Sequence, residues 1–247
     1  MAKPFLSVII PAYNEADRLP LTLIDVDRHL SGAEYSYEIF VVDDGSTDNT
    51  SELTRKFMAV VKNLKLLNNP EHRGKGAAVK IGMLSAHGNW RLAMDADNSV
   101  TVAEFNNMMQ YFSLDQGFEV ITASRYVKGA RLRPQLPMLR RLIERLLNLF
   151  IRIFLKVKIK DFLRGFRCFS ANAAQEIFAV TALDGWSYEQ ESLVIADRLG
   201  YRIKEMPVES RYMAGSHFRV GRYLQMFLET IKIWWWLKRG KYQFSSQ

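Results

Sequence analysis

The sequence predicts an α/β protein: a mostly parallel sheet with helices on both faces, followed by C-terminal amphipathic helices suited to a membrane interface. Three observations predict it. Short apolar, β-branched runs alternate with helical patterns from Leu6 to about Tyr126. The polar clusters fall at the carboxyl ends of those runs, where open parallel sheets bind ligands. Beyond about Lys128, two long helical patterns interleave apolar with basic residues.

Taken in order, Leu6–Ile10 is a short buried strand that ends at Pro11. Leu19–Leu30 carries helical apolar spacing. Tyr37–Val42 is a second strand closed by the turn sequence Asp43-Asp44-Gly45-Ser46, and Thr47 or Asp48 is placed to cap a helix reaching about Val61. Lys65–Leu67 is a third strand and Gly76–His87 a third helix. Trp90–Met94 is a fourth strand, and Phe118–Ala123 a fifth after a helix around Glu104–Phe112. In Leu136–Val157, Leu139, Leu142, Leu146, Phe150 and Ile153 alternate with Arg140, Arg141, Arg145, Arg152 and Lys156. A last helix over Arg219–Leu237 holds Trp234, Trp235 and Trp236, with Lys238, Arg239 and Lys241 after them. Neither offers some 18 uncharged apolar residues, so both are expected to lie in a membrane interface and not to span it.

Composition bounds the possibilities. The 247 residues are 48% hydrophobic and 24% charged, enough to bury a full core in one large domain. The single cysteine, Cys168, excludes an internal disulfide and fits a reducing compartment. The N-terminal segment lacks a secretory apolar region, because Pro11 and charges interrupt it. The net charge of +8 is unevenly spread: acids gather at Asp43, Asp44, Asp48, Asp95 and Asp97, and cations at Arg125–Arg167 and Arg202–Lys241. The basic half is also the most hydrophobic, which favours a membrane surface over nucleic acid.

The chemistry-bearing residues follow strand ends. Met94-Asp95-Ala96-Asp97 puts two carboxylates one residue apart in an extended segment. They can share a hard divalent cation, Mg²⁺ or Mn²⁺, bridging a pyrophosphate, or one can hold the metal and the other a ribose. An Asp at the end of the second strand can accept a hydrogen bond from a uracil or guanine N–H, and Gly45 permits close backbone approach. Arg73-Gly74-Lys75-Gly76 opens a helix and supplies backbone donors and cations for an anion, without the spacing of a Walker motif. His72 and His87 read as surface residues, and Glu189 and Glu191 as a helix cap and a solvated charge.

The succession PAYNE, VVDDGSTD, RGKGAAVKIG and MDAD resembles the family 2 inverting glycosyltransferases with the GT-A fold. Ala123-Ser124-Arg125-Tyr126, Gly165-Phe166-Arg167-Cys168-Phe169 and Trp186-Ser187-Tyr188-Glu189-Gln190-Glu191 resemble dolichyl-phosphate glucosyltransferases and the related mannose synthases. The likeness runs over about residues 5 to 240. It implies a nucleotide-sugar-binding half, residues 1–127, and an acceptor-binding half, 128–247, of one continuous domain. Pro11, Tyr13 and Glu15, with Asp43 and Asp44, would hold the nucleobase and ribose, and Lys75 would lie near the donor. Asp95 and Asp97 would bind the metal–diphosphate, and Arg125, with Arg140 or Arg141, a lipid phosphate. Arg211, followed by Gly215-Ser216-His217, would close over the donor phosphates. The RGKGAAV segment favours UDP-glucose over GDP-mannose. Two departures stand out: His217 replaces a frequent Lys, and Asp161-Phe162-Leu163-Arg164 replaces an Asp-Thr-Gln-Cys-like run.

The expected activity is inverting transfer of a hexose to a polyprenyl or dolichyl phosphate, by a peripheral protein on the cytoplasmic face of a membrane. Because a phosphate acceptor is already ionised near neutral pH, no strong general base is required. A glycan or lipid hydroxyl acceptor would require one, and Glu189 or Glu191 would be the candidate. A non-catalytic membrane-surface protein is a third reading, opposed by the intact Asp-x-Asp beside intact nucleotide segments. An oligomer is compatible with the sequence.

Overall fold

Buried β-branched runs set the frame, and the structure, a computed structural model, describes residues 3–112, 117–133, 137–211 and 220–242. The elements are β1 (Leu6–Ala12), α1 (Leu19–Leu30), β2 (Tyr37–Asp44), α2 (Thr50–Phe57), β3 (Leu64–Asn69), α3 (Lys75–Ser85), β4 (Trp90–Ala93), α4 (Glu104–Met109), β5 (Val120–Ser124), β6 (Arg131–Arg133), α5 (Met138–Leu155), β7 (Arg167–Ser170), α6 (Ala171–Val180), α7 (Tyr188–Arg198), β8 (Ile203–Pro207), β9 (Glu209–Arg211) and α8 (Val220–Lys238).

Seven strands form one sheet in the order β3-β2-β1-β4-β7-β5-β8, and β6 and β9 form a separate parallel pair. Pairing is parallel except on the two sides of β7, which runs against both β4 and β5. The mostly parallel α/β architecture is therefore as expected, with one reversed strand supplied by the later part of the chain.

Alternation along the strands builds two cores, one on each face of the sheet. On β1 and β2, Ile9, Phe40 and Val42 face one core, where they join Leu147 and Ile151 of α5 and Leu193 of α7. Val8, Ile10, Ile39 and Val41 face the other, with Leu23 of α1 and Phe105 of α4. β2 is buried along its whole length, the mark of a strand covered from both sides.

Helices α5 and α8 pack on each other through ring pairs, Phe150–Phe227 at 4.4 Å and Phe154–Trp234 at 5.4 Å. Their inner faces enter the core through Leu147, Ile151, Leu155, Ile233 and Trp236. Their outer faces leave Leu142, Leu146, Leu149, Ile153, Leu224 and Leu228 exposed. The three consecutive tryptophans thus divide: Trp236 is 8% exposed, Trp234 38% and Trp235 46%. Among the described residues no helix is long and apolar enough to cross a membrane.

Candidate active site

Four loops leave the carboxyl ends of β1, β2, β3 and β4 on the same side of the sheet, and backbone needs tie them together. After β1, Asn14 adopts φ 54 and its Oδ1 accepts from the Thr47 N–H at 2.8 Å, while the Glu15 N–H donates to Thr50 Oγ1 at 2.9 Å. The PAYNE and DDGSTD segments are one hydrogen-bonded unit.

The two aspartates at the end of β2 act within this unit. Asp43 Oδ1 accepts from the backbone N–H and the hydroxyl of Ser46, and Oδ2 from the Ser51 hydroxyl. Asp43 is 3% exposed, so its carboxylate clamps the loop that the sequence reading places at the nucleobase. Asp44 holds the next loop, accepting from Asn69 Nδ2 at 2.8 Å, the Arg73 N–H at 3.2 Å and the Gly74 N–H at 2.6 Å. His72, read from sequence as a surface residue, stands 2.8 Å from Asp44 Oδ2 through Nδ1 and stacks on Tyr13 with ring centroids 3.6 Å apart.

The glycines around Lys75 are there for packing. Gly74 has φ +123, and a Cβ on it would come 2.6 Å from the Asp184 carbonyl oxygen. One on Gly76 would come 2.5 Å from that of Leu183. Close approach of the start of α3 to the 183–185 segment brings Lys75 against the start of α7. Its Nζ lies 2.6 Å from Asp95 Oδ1 and 2.7 Å from Glu189 Oε1, with the Trp186 ring centroid at 4.6 Å. Burial alone would lower the Lys75 ammonium, but Asp95 and Glu189 outweigh it and hold its pKa well above the usual lysine value. Burial likewise opposes the charge on Asp95, and Lys75, aided by Arg164 and Arg167, reverses that and keeps its pKa below the ordinary carboxylate range.

Asp97 Oδ1 accepts from the Ser99 N–H at 3.0 Å, and Asp97 forms no salt bridge among the described residues. Glu15 reaches the same region. Burial raises its pKa, Arg18 partly offsets this, and the fields of Asp97 and Asp95 add to the rise. Among the described residues no cluster of three acidic, His or Cys side chains forms a metal cage. The Asp95–Asp97 pair is a donor set of hard oxygens that would need phosphate oxygens to complete a coordination sphere. It fits a divalent ion carried with a diphosphate.

The second half supplies a buried charge network. Arg125 gives its Nε and Nη2 to Asp161, both at 2.8 Å, and its Nη1 to Glu144 of α5. Glu144 also takes Arg140 Nε at 2.9 Å and the Tyr223 hydroxyl of α8 at 2.8 Å. Burial opposes ionisation of Asp161, but Arg125 holds its pKa at about 2. Arg125 and Arg140, expected to meet a lipid phosphate, are engaged by carboxylates in this structure, and Arg125 ties Asp161 to α5 through Glu144. Glu191, expected as a solvated charge or a base, is buried and accepts from the Ala182 and Leu183 N–H groups and the Tyr242 hydroxyl. Glu189 is also buried, paired with Lys75.

Of the remaining expected residues, Pro11 pairs with Val42 in the sheet, and Tyr13 stays partly exposed at the mouth. Arg211 is exposed on β9, where its N–H donates to the Ser99 carbonyl at 2.8 Å, so β9 borders the Asp97 loop. Gly215, Ser216 and His217 lie outside the described residues. Two residues that sequence reasoning did not assign also stand here. Arg167 is fully buried, spanning Thr122, Phe162 and the Glu189 carbonyl. Arg164 feels the fields of Asp161 and Asp95, and it ends the Asp161–Arg164 run in which the sequence departs from the family pattern.

Known proteins agree with this geometry. The family model described as glycosyl transferase family 2 matches residues 7–178. A dolichyl-phosphate beta-glucosyltransferase of Trichomonas vaginalis is 31% identical over 94% of this chain and 73% of its own. That of Dictyostelium discoideum is 33% identical over 86% and 68%. The fold is shared with mannosyl-3-phosphoglycerate synthase from Rubrobacter xylanophilus, at TM-score 0.73 and 16% identity, covering 99% of this chain and 77% of that one. It is shared too with Mycobacterium tuberculosis glucosyl-3-phosphoglycerate synthase, solved with Mn²⁺, UDP and glucosyl-3-phosphoglycerate, at TM-score 0.67, 18% identity, and 99% and 82% coverage. The chain belongs to glycosyl transferase family 2 and is a glycosyltransferase of the GT-A fold.

Proposed function

We propose that this enzyme transfers glucose from UDP-glucose, with Mg²⁺ or Mn²⁺, to the phosphate of a polyprenyl lipid such as dolichyl phosphate, with inversion, at a membrane surface. The observation that carries the reading is the likeness to dolichyl-phosphate beta-glucosyltransferases over nearly the whole chain. Two features of the structure support it. The outer faces of α5 and α8 expose large apolar side chains beside Arg145, Arg152, Lys232 and Lys238, a composition suited to lipid headgroups. Among the described residues the carboxylates paired with Lys75 are Asp95 and Glu189, and the ion pair leaves Glu189 engaged, which suits an acceptor that arrives already ionised.

Asp95 and Asp97 would hold the cation, which when bound neutralises charge on the leaving diphosphate. Lys75 keeps Asp95 ionised and adds positive charge beside it. Tyr13 and the clamped Asp43 and Asp44 loops would shape the nucleoside end, and Arg211 would lie at the phosphate end. Arg125, Glu144 and Tyr223 would hold α5 and α8 against the site, so that a membrane-bound lipid meets the donor. The membrane face taken is the cytoplasmic one.

A donor screen tests the reading. Purified protein is given UDP-glucose, GDP-mannose and other nucleotide sugars with a short prenyl phosphate or the matching prenol, and products are resolved by mass spectrometry. Glucosyl prenyl phosphate, formed from UDP-glucose, is the expected product. Transfer to the prenol instead, or a preference for GDP-mannose, would overturn it.

A further inference from the structure

Arg164 is a cation of this site with a buried donor that the described residues leave unanswered. Its Nη2 donates to the Ser210 hydroxyl at 3.1 Å, and its Nε is buried with no hydrogen-bond partner. It makes no salt bridge among the described residues, although it feels the fields of Asp161, Asp95 and Glu144, set against that of Arg125. Asp161 gives its oxygens to Arg125 and to the Leu163 N–H, and Asp95 gives Oδ1 to Lys75. Asp161 is therefore taken on both oxygens and Asp95 on one, while the Arg164 Nε is answered by neither. A buried guanidinium with an open N–H costs stability in an empty protein, and an arriving anion would satisfy it.

Its surroundings say which anion. Gly165, the next residue, abuts the Asp95 carboxylate and Lys75 so closely that a Cβ there would lie 2.7 Å from both. Arg164 is thus within the active site and not on an outer surface. Ser210, its one anchor, lies on β9 and pairs in register with Leu132 of β6, while Arg211 beside it is tied to Ser99 of the Asp97 loop. On the donor side, Asp95 is already matched by Lys75. Asp161 and Glu144, whose fields Arg164 also feels, hold Arg125 and Tyr223 at α5 and α8, the helices from which a lipid would enter.

We infer that Arg164 binds the phosphate of the acceptor, the role its sequence assigned to Arg125, and holds it between the Asp95–Asp97 loop and the two outer helices. This rests on the polyprenyl-phosphate reading above. Arg164 donates from Nε and a free Nη edge to phosphate oxygens, with Ser210 fixing the guanidinium plane. No proton moves: the phosphate oxygen forms the new bond to the anomeric carbon as the bond to the nucleoside diphosphate breaks.

The test compares wild type with Arg164→Met, Arg164→Lys and Ser210→Ala. Two affinities are read by tryptophan fluorescence: a short prenyl phosphate against its prenol, and UDP with Mn²⁺. Acceptor KM and thermal midpoint are measured alongside. Wild type should prefer the phosphate, and Arg164→Met should lose that preference and raise acceptor KM about 10- to 100-fold. UDP–Mn²⁺ affinity should fall by a smaller factor than acceptor affinity, because Arg164 also helps keep Asp95 ionised, and the thermal midpoint should hold or rise, since an apolar side chain replaces a cation with an unmet buried donor. Arg164→Lys and Ser210→Ala should fold as wild type and raise KM by smaller factors, which keeps the test open should the Met variant not fold. Undiminished phosphate preference in these variants would overturn the inference alone, as would a loss confined to UDP. A wild type that neither binds nor glucosylates a prenyl phosphate would instead overturn the acceptor reading.

Discussion

Replacing Asp161 with Asn should nearly unfold the enzyme, although it changes one oxygen for an NH₂ group. Asp161 is wholly buried and accepts four N–H groups: the Arg125 backbone at 3.0 Å, its Nε and Nη2 at 2.8 Å, and the Leu163 backbone at 3.2 Å. An amide has one acceptor oxygen, and its NH₂ would face donors. Arg125 would keep only Glu144, leaving an under-compensated charge in the core, at a cost of about 3–5 kcal/mol. That is a large part of the about 5–15 kcal/mol that holds a typical domain folded. The depressed pKa gives an independent figure. A fall from 3.8 to about 2 corresponds to about 2 kcal/mol of preference for the ionised folded form. Because the folded pKa is the lower one, this contribution is full above about pH 4 and is lost as pH falls through about 2. Urea unfolding followed by tryptophan fluorescence at pH 7, repeated at steps down to pH 2, measures both. Asp161→Asn should show the loss at pH 7 and a flatter fall of stability in acid. A variant within about 1 kcal/mol of wild type at pH 7 would refute the account of the Arg125 network.

Three other perturbations separate the parts of the site. Asp97→Asn should leave stability within about 0.5 kcal/mol, since Asp97 forms no ion pair among the described residues, yet abolish the response of UDP binding to Mn²⁺. Titration calorimetry with and without the ion decides, and an intact Mn²⁺ response would remove Asp97 from the metal site. Gly165→Ala puts a methyl 2.7 Å from both Asp95 Oδ1 and Lys75 Nζ, and should lower kcat/KM by at least about tenfold through misplacement; wild-type turnover would show that the pair can shift freely. Trp235→Ser should weaken flotation with anionic vesicles while sparing the fold, because that ring is 46% exposed, whereas Trp234 packs on Phe154 and Trp236 is buried. Wild-type binding should fall with added salt without vanishing, and undiminished flotation of the variant would place the lipid contact elsewhere.

The first half of the chain was readable because its signals are local. α1 covers the very residues its apolar spacing marked, and β1 to β4 begin at or within one residue of their apolar runs. β6, β7, α6, β8 and β9 were not drawn, and of α7 only the start was. Arg167–Ser170 shows no period, since β7 owes its place to neighbours on both sides and not to its own alternation. Tyr188-Glu189-Gln190-Glu191 reads as a solvated helix start, yet all four are buried, because Lys75 and the Ala182 and Leu183 N–H groups come to meet the carboxylates from elsewhere in the chain. The aspartates of the metal pair could be placed by a strand end alone. The difference between Arg125 and Arg164 could not. Both are arginines beside a motif, and only the fold decides which one finds carboxylates in reach.

The reversed strand at the centre of the sheet also fixes the order in which the enzyme can take shape. β4, which leads into the Asp95–Asp97 loop, pairs with β1 early in the chain, but its other edge stays open until Arg167–Ser170 has been made. β5 waits for the same segment. On a ribosome, the nucleotide-side loops therefore emerge well before the partner that closes the sheet beneath them, and an open ladder is a template for wrong pairing. Contacts this distant in sequence also form slowly. A nascent chain stopped between β5 and β7 would carry most of the donor-side residues and still have no finished floor on which to set them.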